Sequence, residues 1–137
     1  MTERARTYDS VHQGDAGPSI SHPLTRTDLV MYAGASGDFN PMHHDEVAAK
    51  DAGLPSVFGH GMFTAGLLAT AITDFVGIGN LTSYRVRFTK QTWPGEVLTT
   101  NVTVAEKRAG NEVLLTCSVV NEHGEAKITG EAVAVLP

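Results

Sequence analysis

Between Ala52 and Thr73 the chain carries no Asp, Glu, Lys or Arg, and this uncharged stretch constrains the fold more than any other feature. Gly53, Pro55, Ser56, Gly59, His60 and Gly61 interrupt its first half. What remains before Asp74 is shorter than the ~20 apolar residues a spanning helix requires, so a buried helix is expected and a membrane span is not. From Gly61 to about Val76, Met62, Phe63, Ala65, Leu67, Leu68, Ala69, Ala71, Ile72, Phe75 and Val76 cover most of a helical circumference. A helix apolar nearly all round belongs in the middle of a fold. Gly77, Gly79 and Asn80 end it.

Beyond that point the period changes to two. Tyr84, Val86 and Phe88 alternate with Arg85, Arg87 and Thr89, and Val97–Val104, Val113–Val120 and Ile128–Val135 are further strand-like runs. Turn signals at Trp93-Pro94-Gly95, Ala109-Gly110-Asn111 and Glu122-His123-Gly124 give antiparallel hairpin spacings, hence about four strands. Upstream, Thr27–Ala33 reads as a helix capped by Thr25 or Thr27, with Asp28 at the positive end of its dipole and Gly34 and Gly37 ending it. Pro41 shapes the loop from Gly37 to His44, and Asp45 is an N-cap for a short helix, Glu46–Ala52. Residues 1 to about 20 are polar and Gly/Pro-bearing, and are expected to form a loosely ordered lead-in to a single domain spanning 1–137. The simplest arrangement is α+β: an antiparallel sheet curled around the central helix.

Composition narrows the partners. At 137 residues, with 42% hydrophobic and 18% charged, the chain is an ordinary globular domain and not a disordered one. The net charge is -5, and the densest cationic group is Arg85, Arg87 and Lys90, which excludes a nucleic-acid footprint. The single Cys117 lies in an apolar alternating run and is expected to be a buried structural thiol. The charged N-terminus has no apolar core after it, so no secretory signal is read and a cytoplasmic setting is expected.

The chemistry-bearing stretch is Ser36-Gly37-Asp38-Phe39-Asn40-Pro41-Met42-His43-His44-Asp45, followed by Gly59-His60-Gly61-Met62. Asp38 and His43 lie close enough across a Pro-containing loop to share one water or one substrate atom, and imidazole changes charge near neutral pH. Gly61 opens the buried helix. First-turn amides lack intrahelical partners, and a residue without Cβ lets a carbonyl oxygen approach them, as an oxyanion hole requires. A tight entry into a crowded core would demand the same glycines. His60 reads as structural. The adjacent His43-His44-Asp45 lacks metal-ligand spacing, and no nucleotide-binding or Ser-nucleophile motif is present, so neither a metal nor an organic cofactor is expected.

Taken together, Tyr32-Ala33-Gly34-Ala35-Ser36-Gly37-Asp38-Phe39-Asn40-Pro41-Met42-His43, with His60-Gly61-Met62 downstream, resembles the signature of the MaoC-like hydratase/dehydratase family. These are (R)-specific enoyl-thioester hydratases of the hot-dog fold. The resemblance runs from about Ser21 to the end of the chain. Within the family it is greatest to small stand-alone (3R)-hydroxyacyl-ACP dehydratase subunits of the HadB type. It implies an antiparallel sheet wrapped around a long helix. It also implies Asp38 and His43 as the catalytic pair, Asn40 and Pro41 as residues that shape the loop, and the Gly61 amide as the oxyanion donor.

The activity implied is reversible hydration of trans-2-enoyl thioesters, or dehydration of (3R)-hydroxyacyl thioesters, carried on CoA or ACP. A hot-dog acyl thioesterase and a non-catalytic subunit of a heteromeric dehydratase are the alternatives. The family also implies a homodimer, or a heterodimer with a related hot-dog subunit. Phe39, Met42, Met62 and Phe63 are candidate tunnel-lining residues. Arg85, Arg87 and Lys90 are weak candidates for carrier-phosphate contacts against a solvated strand face.

Overall fold

The computed structural model of the chain describes residues 6–137. In chain order the elements are β1 (Ser21–Pro23), α1 (Arg26–Ser36), α2 (Glu46–Asp51), α3 (Gly61–Val76), β2 (Leu81–Phe88), β3 (Val97–Arg108), β4 (Glu112–Val120) and β5 (Ala126–Val135). All strand pairs are antiparallel, and the sheet order is β1-β3-β4-β5-β2. Period-two patterning selects one inner face: Leu98, Val102 and Val104 on β3, Val113, Leu115 and Val119 on β4, and Ile128, Ala132 and Ala134 on β5 are all buried. Cys117 shares that face, and burial pushes its thiol up to about 11, in keeping with a structural role. The β3–β4 hairpin turns at Gly110-Asn111, both at positive φ (77° and 58°), which matches the right-handed twist of the flanking strands.

The sheet curls around α3, whose bounds are those read from the sequence. Leu68, Ala71 and Ile72 are fully buried, with Phe75 and Val76 beside them. Gly77 ends the helix at φ 92°. Coverage is not complete, however. Met62, Gly66, Thr70 and Asp74 are exposed, and Phe63, Leu67 and Ala69 are half-buried. One sheet of this size reaches around only part of a helix, so one stripe of α3 faces outward. Among the described residues, no helix is long and apolar enough to cross a membrane.

Two expectations need correcting. A fifth strand, β1, pairs with β3 through Ser21↔Thr99, His22↔Leu98 and Pro23↔Val97. Three residues are too few to show a period, and a proline is tolerated there because β1 is an edge. The lead-in is also not loose over residues 6–20. Ala16 bridges Thr103, Gly14 N donates to Val104 O (2.8 Å), Gly17 N donates to Val102 O (2.8 Å), and Tyr8 N donates to Pro137 O (2.8 Å). Val11 is buried in the core. Gly17 is there for proximity: a Cβ on it would lie 3.0 Å from the Phe75 ring. Residues 1–5 lie outside the described residues.

Leu68 sits at the centre of the helix–sheet contact. Leu68→Ala should lower unfolding free energy by about 2–5 kcal/mol, with the denaturant slope unchanged, as measured by urea titration.

Candidate active site

The site begins at the C-terminus of α1. Gly37 caps that helix in the left-handed conformation (φ 75°), its N–H bonding Ala33 O, and this turns the chain into the loop 37–44. Asp38 N donates to Ser36 Oγ (3.1 Å), and Asn40 N donates to Asp38 Oδ1 (3.3 Å). Asn40 Oδ1 in turn accepts from Met42 N (3.1 Å), which starts a single 3-10 turn, Pro41–His43, with Pro41 at a position that needs no donor. Asn40 and Pro41 thus sit at the start of the turn that leads to His43. Asp45 caps α2 through Ala48 N (3.0 Å), and His44 Nε2 donates to Phe39 O (3.1 Å).

This loop sets Asp38 Oδ2 3.9 Å from His43 Nε2. That is too long for a direct hydrogen bond. A water oxygen lying about 2.8 Å from each atom fits between them at one apex. The other ring nitrogen of His43, Nδ1, donates to Phe58 O (2.6 Å), which leaves Nε2 as the nitrogen facing Asp38. The imidazole is buried, 8% exposed, while the Asp38 carboxylate is 51% exposed. The pair thus has one protected member and one open to solvent.

The second imidazole is the feature that sequence reasoning undervalued. His60 stacks on His43 with ring centroids 3.9 Å apart and planes 27° apart, and its outer face meets Tyr32 at 4.8 Å. Its Nε2 donates to the Asp38 carbonyl (3.1 Å), while Nδ1 is buried without a partner among the described residues. Burial holds the His60 imidazole below the ordinary value of 6.5, so it stays neutral beside His43. The reading of His60 as structural holds as a description of its contacts, but it supports the site directly. The His60-Gly61 dipeptide was the available signal. Nothing in the sequence marked Phe58, whose ring meets His43 edge-on at 4.8 Å and Trp93 at 6.1 Å.

Asp38, His43 and His60 each bring one ligand atom to within 4.8 Å of the others. The near-parallel stacking of the two imidazoles makes their in-plane lone pairs run side by side instead of meeting at one ion. Each ring also has one nitrogen committed to a backbone carbonyl. The donor set therefore fits a hydrogen-bonded cluster better than a metal cradle.

His60 is also the N-cap of α3, and its side chain makes no capping bond. The first-turn amides of α3, beginning with Gly61, therefore lack a side-chain acceptor at the positive end of a 16-residue helix. Side chains approach both glycines flanking His60 closely. A Cβ on Gly59 would collide with the Thr92 hydroxyl, and one on Gly61 would lie 2.9 Å from the Phe88 ring. The approach is to a buried threonine at Gly59 but to a half-exposed ring at Gly61, and an amide open to a ligand is compatible with both.

A cavity of about 280 Å³ adjoins this entry, lined by Phe58, Gly59, Gly61, Thr64, Phe88–Thr92, Lys127 and Ile128. Neither Asp38 nor His43 lines it, so the pair and the cavity meet only across Gly59–Gly61. The tunnel-lining expectation for Phe39, Met42, Met62 and Phe63 is not met by this cavity. Phe39 and Met62 are exposed instead, because the loop and the outward stripe of α3 carry them to the surface. Of the cationic group, Arg85 and Arg87 lie exposed on β2 beside a surface groove with Thr129 and Glu131, and Lys90 pairs with Glu125 (3.0 Å).

A five-stranded antiparallel sheet wrapped on one long helix, with an acid–imidazole pair at the helix entry, defines a hot-dog protein. The chain belongs to the MaoC-like domain family, whose model matches residues 9–126. It is 36% identical over 108 residues to 3-hydroxyacyl-thioester dehydratase Y of Mycobacterium tuberculosis, an alignment covering 76% of this chain and 37% of that protein. The chain thus spans little more than a third of that relative's length. It is 26% identical over 135 residues to an (R)-specific enoyl-CoA hydratase of Rhodospirillum rubrum, covering 95% of this chain and 91% of that one. Among solved structures, the unliganded R-hydratase PhaJ1 of Pseudomonas aeruginosa superposes with a TM-score of 0.89 at 28% identity, over 97% of this chain and 86% of that one.

The buried neutral His60 makes a pH prediction. The unfolded chain takes up a proton near 6.5 that the folded site refuses, so this residue's contribution to stability is lost as pH falls below that value. Acidification from about pH 7.5 to 5.5 should lower the urea midpoint of the wild type more than that of His60→Gln, which keeps a donor for the Asp38 carbonyl but cannot titrate.

Proposed function

We propose that this chain catalyses the reversible hydration of trans-2-enoyl thioesters to (3R)-hydroxyacyl thioesters, acting on CoA- or ACP-borne substrates as one MaoC-like domain from end to end. The observation that carries the reading is the placement of His43 Nε2 opposite Asp38 Oδ2 at 3.9 Å, beside the side-chain-free start of α3. In the hydration direction a water held by both groups attacks the β-carbon. One of the pair takes a proton from the water as the C–O bond forms. The π electrons move toward the thioester carbonyl, and the developing oxyanion is met by the Gly61 amide and the helix dipole. A proton delivered by the pair to the α-carbon completes the addition. Dehydration reverses each step, so neither direction needs a cofactor.

The anchored ring of His43 supports this assignment, because Nδ1 is committed to Phe58 O and Nε2 is the nitrogen left to exchange a proton with water or substrate. The Asn40 amide holds Asp38 Oδ1, leaving Oδ2 directed at the imidazole. We also infer that the chain works as a dimer, with itself or with a related hot-dog subunit. β2 forms one edge of the sheet with its outer backbone unpaired among the described residues, and α3 turns a stripe toward solvent. An assembly covering both would also shield the open Asp38 carboxylate. Its mass in analytical ultracentrifugation should be about twice the 14.5 kDa of the chain, or that of a mixed pair.

The test of the chemistry follows the loss of enoyl-thioester ultraviolet absorbance with C4 to C16 substrates, with chiral analysis of the product. Asp38→Asn and His43→Ala should each reduce kcat by ~10²–10⁴. Near-normal turnover by both variants, an (S) product, or release of free thiol without hydration would overturn the assignment.

A further inference from the structure

Lys127, the second residue of β5, is only 1% exposed, and the hydration chemistry gives it no task. A lysine is almost never buried at this level unless it is paired. Its three Nζ hydrogens face three acceptors: Gln91 O (2.9 Å), Glu125 Oε1 (2.7 Å) and Glu96 Oε2 (3.0 Å). With all three committed, the ammonium has none left for a substrate. Lys127 therefore acts through what it holds.

What it holds is the connection between β2 and β3. Residues 91–93 of that connection form no strand or helix. Among the described residues, their hydrogen bonds run to Lys127, Gly59 and Glu96. Glu96 Oε1 accepts from Trp93 N (2.6 Å), and Oε2 accepts from Asn121 Nδ2 (2.7 Å) beside the Lys127 ammonium. The buried ion pair thus fixes both ends of the stretch from Gln91 to Glu96.

Two contacts lead from this stretch to the site. Thr92 O accepts from Gly59 N (2.8 Å), two residues before the Gly61 amide. The Trp93 ring meets the Phe58 ring edge-on at 6.1 Å, and Phe58 meets His43 the same way at 4.8 Å. Phe58 O is also the acceptor for His43 Nδ1 (2.6 Å). One braced dipeptide, Phe58-Gly59, therefore anchors the imidazole and leads into the α3 amides.

Resting on the enoyl-thioester reading, we propose that Lys127 and Glu96 are positioning residues for hydration. Their ion pair holds residues 91–93 so that Phe58 keeps the His43 ring aligned with Asp38 and Gly59 keeps the Gly61 amide in place. An aliphatic side chain at 127 would fill the same space but leave Gln91 O without a donor, and the stretch would shift to satisfy it. A misplacement of about 1 Å is enough to cost ~10²-fold in rate.

The test separates alignment from folding. Lys127→Met alone leaves Glu96, 13% exposed, without its cation and should lower the urea midpoint sharply. Adding Glu96→Gln removes that charge and keeps an acceptor for Trp93 N, while Glu125 retains Lys90 (3.0 Å). The double variant should recover most of the wild-type midpoint. Its kcat for hex-2-enoyl-CoA should nevertheless stay ~10- to 100-fold low, with KM within about twofold of wild type. The nitrogen NMR signals of its His43 imidazole should move as well. Trp93→Leu, which leaves the ion pair untouched, should lower kcat in the same way. Recovery of kcat together with the midpoint, unmoved His43 signals, or a Trp93→Leu variant with normal kcat overturns the proposal and leaves the hydratase reading intact. A wild type that hydrates no enoyl thioester removes the hydratase reading, and the imidazole signals then still decide whether Lys127 aligns His43.

Discussion

His60 stands at the N-cap of α3, where a serine or aspartate would ordinarily bond the first-turn amides, and its side chain bonds the carbonyl of Asp38 instead. That one hydrogen bond joins the two halves of the molecule that matter. It fixes the loop carrying the carboxylate to the entry of the buried helix, and it leaves the helix amides without a side-chain acceptor. The forfeited cap destabilises a helix end, typically by about 1 kcal/mol. Here the helix tolerates it because its stability comes from burial of Leu68, Ala71, Ile72 and Phe75 under the sheet. A marginal helix with the same N-cap could not spare it.

The remaining supports of the site form a chain of backbone and ring contacts anchored by a buried charge. Lys127 satisfies all three of its hydrogens on Gln91 O, Glu125 and Glu96, and so pins the segment 89–96 to the start of β5. Thr92 O in that segment accepts from Gly59 N (2.8 Å), and Trp93 packs against Phe58, which packs against His43 and accepts its Nδ1–H. Removing one partner of such a network leaves a buried charge unpaired, which makes it rigid in a way that an apolar plug would not be. The orientation of the His43 ring therefore depends on a lysine far from it in sequence.

How much of this was legible depends on the range of each interaction. α3 was readable to the residue because apolar coverage, a glycine entry and a glycine exit are local signals. Asp45 as a cap and Asn40-Pro41 as loop shapers were readable for the same reason, since each acts within three residues. β1 was not, because three residues carry no period and its pairing is with residues some 75 positions away. The lead-in misled because Gly14 and Gly17 resemble linker composition, whereas Gly17 is present to let the chain pass against Phe75. Phe58, Trp93 and Lys127 were invisible as site residues. Their roles arise from the return of β5 to the helix entry, which no local pattern encodes. His60 lay between the two cases: its place beside Gly61 was plain, but its stacking on His43 is a long-range outcome.

The glycines at the entry show how fold and chemistry impose the same requirement for different reasons. At Gly59 the Thr92 hydroxyl occupies the place of a side chain, and at Gly61 the Phe88 ring presses close to it. Those contacts favour glycine whether or not the protein has an activity, so the Gly-His-Gly spacing alone is not evidence of an oxyanion hole. What distinguishes this entry is the combination around it: an N-cap that makes no cap, a carboxylate and an imidazole held at 3.9 Å, and a cavity that begins at the same two glycines. The cavity lies on one side of Gly59–Gly61 and the acid–imidazole pair on the other. Because the cavity wall includes Gly59 and Gly61 while His60 between them bonds the Asp38 carbonyl, a shift of the α3 entry moves the cavity wall and the support of the pair together.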